Sequence, residues 1–195
     1  MLRPKLSAVQ GGLLLTQYST VMPDGDLDER YIHLTTQIVS LAYTLGLHLD
    51  CGDWKIPDWE IGLRRRMSWA VFMQDRWSSI FDARPCLINQ ENWGVLPLTS
   101  EDFPESEEDE QDGSSEVAKG ALVFMRMAEL STILSQCHSN VFSIRSRAII
   151  ERAPDRLGTF IQRTFDARRG SCPRLLCTRV LRRRISCHFS HSGQL

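Results

Sequence analysis

Four side chains near the end of the chain come closest to a metal-binding pattern. Cys172 and Cys177 are followed by His188 and His191, the two thiols and two imidazoles of a tetrahedral Zn site. The Cys–His linker and the His–His gap are shorter than that pattern requires, and no apolar finger core surrounds them. The reading is therefore that they hold no metal. Cys51, Cys86 and Cys137 lie far apart and read as buried or half-buried thiols. His33, His48 and His138 are isolated. No His–carboxylate pair, Cys–His pair, glycine loop or metal spacing occurs in the apolar part of the chain, so the expectation is a protein that is not an enzyme.

Two charged groups are harder to place. Arg64, Arg65 and Arg66 are consecutive. Such a run can be a basic patch for nucleic acid or an import signal. Successive helix positions point about 100° apart, so three in a row make no flat basic face. The reading favoured is structural, with arginines paired to Glu60, Asp75 or Asp82. Glu60 and Arg64 stand at i,i+4 in the favourable order. Asp75-Arg76 sits inside an apolar run. An unpaired buried charge is costly, so Asp75 is expected to pair with an arginine of the triplet or with Arg84. All five Trp fall between Leu45 and Pro104. Trp69 and Trp77, two turns apart, read as core, whereas Trp54, Trp59 and Trp93 are candidates for a ligand groove.

Apolar spacing supplies the elements that must hold these groups. Leu6 to Tyr18 reads as a short helix weakened by Gly11-Gly12. Tyr31 to Leu47 carries the stripe Leu34, Ile38, Leu41, Ala42 and Leu45, and Gly46 is placed to end it. Trp59 to Asp82 is apolar on nearly all sides, which predicts a central helix, stopped before Pro85. Val117 to Glu151 reads as one further helix, and no strand pattern appears. The fold class expected is all-α, an irregular multi-helix domain.

The 195 residues, 42% hydrophobic and 24% charged, allow one domain with a tail. Charge is uneven: no Lys or Arg occurs between Pro85 and Ala118, and eight arginines against one acid lie from Arg163 onward. Residues 104–116 read as an acidic, disordered linker that lacks the bulky side chains of an activation segment. Residues 153–195 read as an irregular basic tail, disordered or translated from a misassigned exon. The brief apolar run near Met1 lacks a cleavage site, and no stretch approaches the roughly 18 residues of a membrane span. A reducing compartment without disulfides and no membrane contact are expected.

Several motifs in order carry a family resemblance. They are Leu45-Gly46-Leu47-His48 with Asp50, Leu63-Arg64-Arg65-Arg66-Met67-Ser68-Trp69, Met73-Gln74-Asp75-Arg76-Trp77 and Ala83-Arg84-Pro85. With these the chain resembles the fungal-specific transcription factor domain. That domain is the regulatory middle region of zinc-binuclear-cluster activators, also called the xylanolytic-activator-type regulatory domain. Asp53-Trp54-Lys55-Ile56-Pro57-Asp58-Trp59-Glu60 and Asp102-Phe103-Pro104 are similar to the branch of nitrogen-catabolism coactivators. The resemblance covers about residues 6–147; residues 1–152 are taken as a partial domain. It implies a helical domain, a nuclear location and control of RNA polymerase II transcription. It also implies partners among other regions of a longer regulator or among transcription proteins. The family's Zn and DNA contacts belong to a separate six-cysteine cluster, and no such cluster is present in this sequence. The chain is thus expected to be a piece of a regulator that controls activation without contacting DNA itself and carries no cofactor of its own. The motif residues expected to matter are Arg64, Arg65, Arg66, Trp69, Asp75, Arg76, Trp77, Arg84 and Pro85. The alternatives are a helical adaptor with no DNA-linked role and a module that senses a small-molecule effector.

Overall fold

The computed structural model describes residues 4–19, 29–81, 84–104, 115–153 and 158–159. The described residues form α1 (Leu6–Ser19), α2 (Glu29–Thr44), α3 (Asp58–Phe81), α4 (Glu116–Cys137) and α5 (Ile144–Arg152). Two short 3₁₀ turns, Gln90–Asn92 and Ser100–Asp102, punctuate the return segment after α3. No strand occurs among the described residues. The chain is all-α.

α3 is the axis: α1, α2, α4 and the second 3₁₀ turn all pack on it, and α1 also packs on α2. The core contains Val9, Ile38, Val39, Ala42, Leu47, Met67, Trp69, Val71, Phe72, Ile88, Val95 and Ala128. Gly12 has a packing role that the helix-weakening reading missed. A Cβ there would lie 2.7 Å from the Ile38 side chain, so the missing side chain lets α1 approach α2.

α2 ends where Gly46 was expected to end it. Gly46 has φ of 72°, a left-handed conformation that glycine adopts without strain. Leu47 N–H donates to Ala42 O at 2.9 Å and Gly46 N–H to Tyr43 O at 3.1 Å. This is the Schellman pattern, with Leu47 folding back onto the core.

Two sequence expectations change. The line of full burial on α2 runs through Thr35, Ile38, Val39 and Ala42, while Leu34, Leu41 and Leu45 are only partly buried. Packing against α1 and α3 rotates the buried face by about one position. The helix expected over 117–151 is broken. A π-helical turn, His138–Phe142, follows α4, and α5 starts anew with Ser143 Oγ accepting from Ser146 N–H at 3.1 Å. Ser143, in extended conformation, caps α5 as only a residue outside the helix can. A small second core, Ile133 and Cys137 with Leu130 and Phe142, forms at this break.

The acidic residues 105–114 and the tail from residue 160, with Cys172, Cys177, His188 and His191, lie outside the described residues.

Candidate functional site: a polar centre on the central helix

The most buried side of α3 carries polar residues beside Val71 and Phe72. Asp75 is fully buried, and Arg76 (1% exposed), Ser68 and Ser79 are buried beside it. Asp75 Oδ2 accepts from Arg76 Nη1 at 2.8 Å and from Ile88 N–H at 3.1 Å, and Oδ1 accepts from Leu87 N–H at 2.9 Å. Arg76 Nη2 donates to Ile88 O at 2.8 Å, and its guanidinium lies 4.4 Å from the centre of the Phe72 ring. Arg84 Nη1 lies 3.9 Å from Asp75 Oδ1, and Nη2 donates to Ser78 Oγ at 2.8 Å. The arrangement is a clasp. Arg84 and exposed Pro85 turn the chain back, and Asp75 and Arg76 hold the returning backbone at 87 and 88.

The expectation that Asp75 pairs with Arg84 is met at the edge of ion-pair distance. A partner from the arginine triplet is not found among the described contacts. The principal partner, Arg76, was not foreseen, because adjacent helix residues ordinarily diverge. Both side chains reach the returning loop, which lies between their two directions.

Each arginine of the triplet has its own partners. Arg64 Nε donates to Glu60 Oε1 at 2.8 Å, Nη1 to Leu45 O at 3.2 Å, and its guanidinium lies 5.2 Å from the Trp54 ring centre. A cation thus meets a carbonyl at the end of α2, where the helix dipole favours it. Arg65 makes a fork with Asp50, Nε to Oδ1 at 3.0 Å and Nη2 to Oδ2 at 3.1 Å, and its Nη1 is 3.4 Å from Asp102 Oδ1. Arg66 lies 5.4 Å from the Phe103 ring centre. Asp50 and Asp102, the acids that hold Arg65, were not among the partners expected. The signal was present as carboxylates flanking the α2–α3 connection and the second 3₁₀ turn, but distances of 15 and 37 residues carry no periodicity.

Burial alone would raise the Asp50 carboxyl. The hydrogen bonds from Arg65 and from the Gly52 and Leu96 backbone outweigh it and hold the group below the ordinary carboxylate range. The same fork pushes Arg65 further up. Cys51, held next to it, is buried, and that burial together with Asp50 raises its thiol. It stays protonated and unreactive at neutral pH.

The tryptophans do not share one groove. Trp69 is buried and donates to Leu96 O at 2.9 Å, and Trp77 reaches across to Ser131 Oγ of α4 at 3.1 Å. Trp54 packs under Arg64, Trp59 is exposed, and Trp93 packs on Tyr43 and Phe72. No group of three or more His, Cys, Asp or Glu able to hold a metal occurs among the described residues. No described helix is long and apolar enough to cross a membrane.

The family model for the fungal specific transcription factor domain matches residues 2–153. The transcriptional activator protein DAL81 of Saccharomyces cerevisiae is 31% identical over 182 residues, with 75% of this chain and 18% of that protein covered. An uncharacterized transcriptional regulatory protein of Schizosaccharomyces pombe is 30% identical over 144 residues, covering 74% of this chain and 20% of that protein. Cutinase transcription factor 1 beta of Fusarium vanettenii is 34% identical over 99 residues, covering 51% and 11%. The chain thus spans about a fifth or less of the length of these relatives. No solved structure matches it. The family model covers most of the chain, and the chain belongs to the fungal specific transcription factor domain family.

Proposed function

We propose that this chain is the regulatory part of a nuclear RNA polymerase II transcription factor, acting through other regions of that factor or through partner transcription proteins. It performs no catalysis, needs no cofactor and does not contact DNA itself. Zn and DNA recognition belong to a separate zinc-cluster region in this family. The observation that carries this reading is the family match over residues 2–153 joined to the engagement of the arginine triplet. A phosphate-binding surface needs free cations. Here Arg65 is forked onto Asp50, Arg64 is held by Glu60, and Arg66 rests on Phe103.

Two measurements test this. The purified chain is expected to leave duplex DNA unshifted at physiological salt. Fused to an unrelated DNA-binding domain, it is expected to change transcription of a reporter relative to that domain alone. Retention of DNA by the chain, or a fusion without effect on the reporter, overturns the proposal.

A further inference from the structure

A thiol, a hydroxyl and an imidazole converge near the C-terminal end of α3. Oγ of buried Ser79 lies 3.3 Å from Cys86 Sγ and 3.1 Å from His138 Nε2, and it donates to Arg76 O at 2.9 Å. His138, isolated in the sequence, reaches this point from 59 residues away. Cys86 and His138 are half-buried, whereas Cys51 and Cys137 are buried. Cys86 is thus the accessible thiol among the described residues, and its neighbours Pro85 and Leu87 are exposed. Two features fix the cluster. Asp75 accepts from the backbone N–H groups of Leu87 and Ile88, which seats Cys86 over the end of α3. The π turn begins at His138, whose ring packs on Phe142 with centres 5.7 Å apart. Turns of this kind recur at functional sites.

A hydroxyl has one proton to give and two lone pairs. With its proton on Arg76 O, Ser79 accepts from the Cys86 S–H and the His138 Nε2–H. With its proton turned to Nε2, it links thiol to base: Cys86 gives its proton to Oγ as Oγ gives its own to Nε2. The thiolate then accepts from the Ser79 hydroxyl, which accepts from the imidazolium. A thiolate beside a histidine cation is the nucleophilic form of cysteine. We propose that Cys86 is a covalent modification site for soft electrophiles of the conjugated-alkene carbonyl class, with Ser79 and His138 as its proton relay. In the addition a bond forms from Sγ to the β carbon of the alkene and the C=C π bond breaks. The proton held by His138 ends on the α carbon, so nothing is oxidised and nothing leaves. The reaction is one stoichiometric addition, not a turnover. The adduct stands where α3, the returning segment and the π turn meet, so it strains the joint between α3 and α4. As a signal to a regulatory domain the site rests on the reading above, but adduct formation is measured without transcription, so the two fail separately.

The test treats the whole chain with acrylamide and follows each cysteine by peptide mapping in a mass spectrometer. At pH 7 Cys86 is expected to react faster in the folded chain than in the same chain unfolded in urea, while Cys51 and Cys137 stay unlabelled in the fold. His138→Gln and Ser79→Ala are each expected to slow the folded reaction of Cys86 about tenfold at pH 7, a modest share of what a positioned base supplies. Above about pH 10, where hydroxide ionises a thiol unaided, that difference should close. A purely structural role would alter access to the thiol equally at every pH. The proposal is overturned if folded Cys86 reacts no faster than unfolded Cys86, if neither variant slows it, or if the slowing is the same at pH 7 and pH 10. Should a variant also expose Cys51 and Cys137, its fold has loosened, and the comparison of folded with unfolded parent chain decides alone.

Discussion

Asp75 accepts from one guanidinium and from two backbone N–H groups of a segment that returns from beyond the helix. Removing the carboxylate leaves Arg76 charged in a buried place and strands two backbone donors. Asp75→Ala is therefore expected to lower unfolding stability by about 3–5 kcal/mol in urea titration. A loss under about 1 kcal/mol would show that the clasp is not structural. Asp50 gives a pH-dependent counterpart. Its folded carboxyl lies below the ordinary value of 3.8, so its contribution is complete above that value and is lost as pH falls through the lower folded value. Asp50→Asn is expected to cost roughly 1–3 kcal/mol at pH 7, the range for a hydrogen-bonded charge. The gap between variant and parent should close below about pH 4. Melting curves at several pH values check this, and a gap that does not depend on pH contradicts it.

The elements meet at places where a side chain would obstruct them. At Gly46 a Cβ would stand in the left-handed region and 3.0 Å from the Trp54 ring. At Gly62 it would stand 3.1 Å from Asp102 O, which is backbone and cannot turn aside. Gly46→Ala and Gly62→Ala are each expected to cost about 1–3 kcal/mol. Gly11→Ala, whose Cβ meets nothing within 4 Å, should be neutral or stabilising in the same thermal melts. The ends of α2 and α3 were legible in the sequence, because capping glycine and proline act locally. The buried polar face of α3 was not legible. Apolar periodicity ranks Phe81 as core and Asp75 as a problem, yet Phe81 is 66% exposed and Asp75 is fully buried. Burial of the carboxylate depends on donors twelve and thirteen residues away, which no helical period can register.

As a whole molecule the domain is a central helix with layers on several sides, joined by a few polar ties. Arg65 holds the α2–α3 connection and the second 3₁₀ turn to α3, Trp77 holds α4, and Asp75 holds the return segment. Apolar side chains stay exposed on α1 (Leu14, Leu15), α4 (Leu122, Val123) and α5 (Ile144). Patches of this kind promote association. The chain is expected to self-associate with rising concentration in sedimentation velocity, and Leu122→Ser with Val123→Ser to reduce that without lowering the melting temperature. A monomer at all concentrations would argue against an adhesive α4 face.

By itself the sequence determined the helical class, the central place of α3, the Gly46 stop, the Glu60–Arg64 pair and the family, because each is written in residues near one another or in an ordered set of motifs. Only the tertiary structure decided that Asp75 and Arg76 clasp the returning chain, that Arg65 belongs to Asp50 and Asp102, and that the helix expected over 117–151 breaks at a π turn. Those outcomes depend on which backbone donors and carboxylates the fold brings within about 3 Å, a distance set by packing rather than by spacing along the chain.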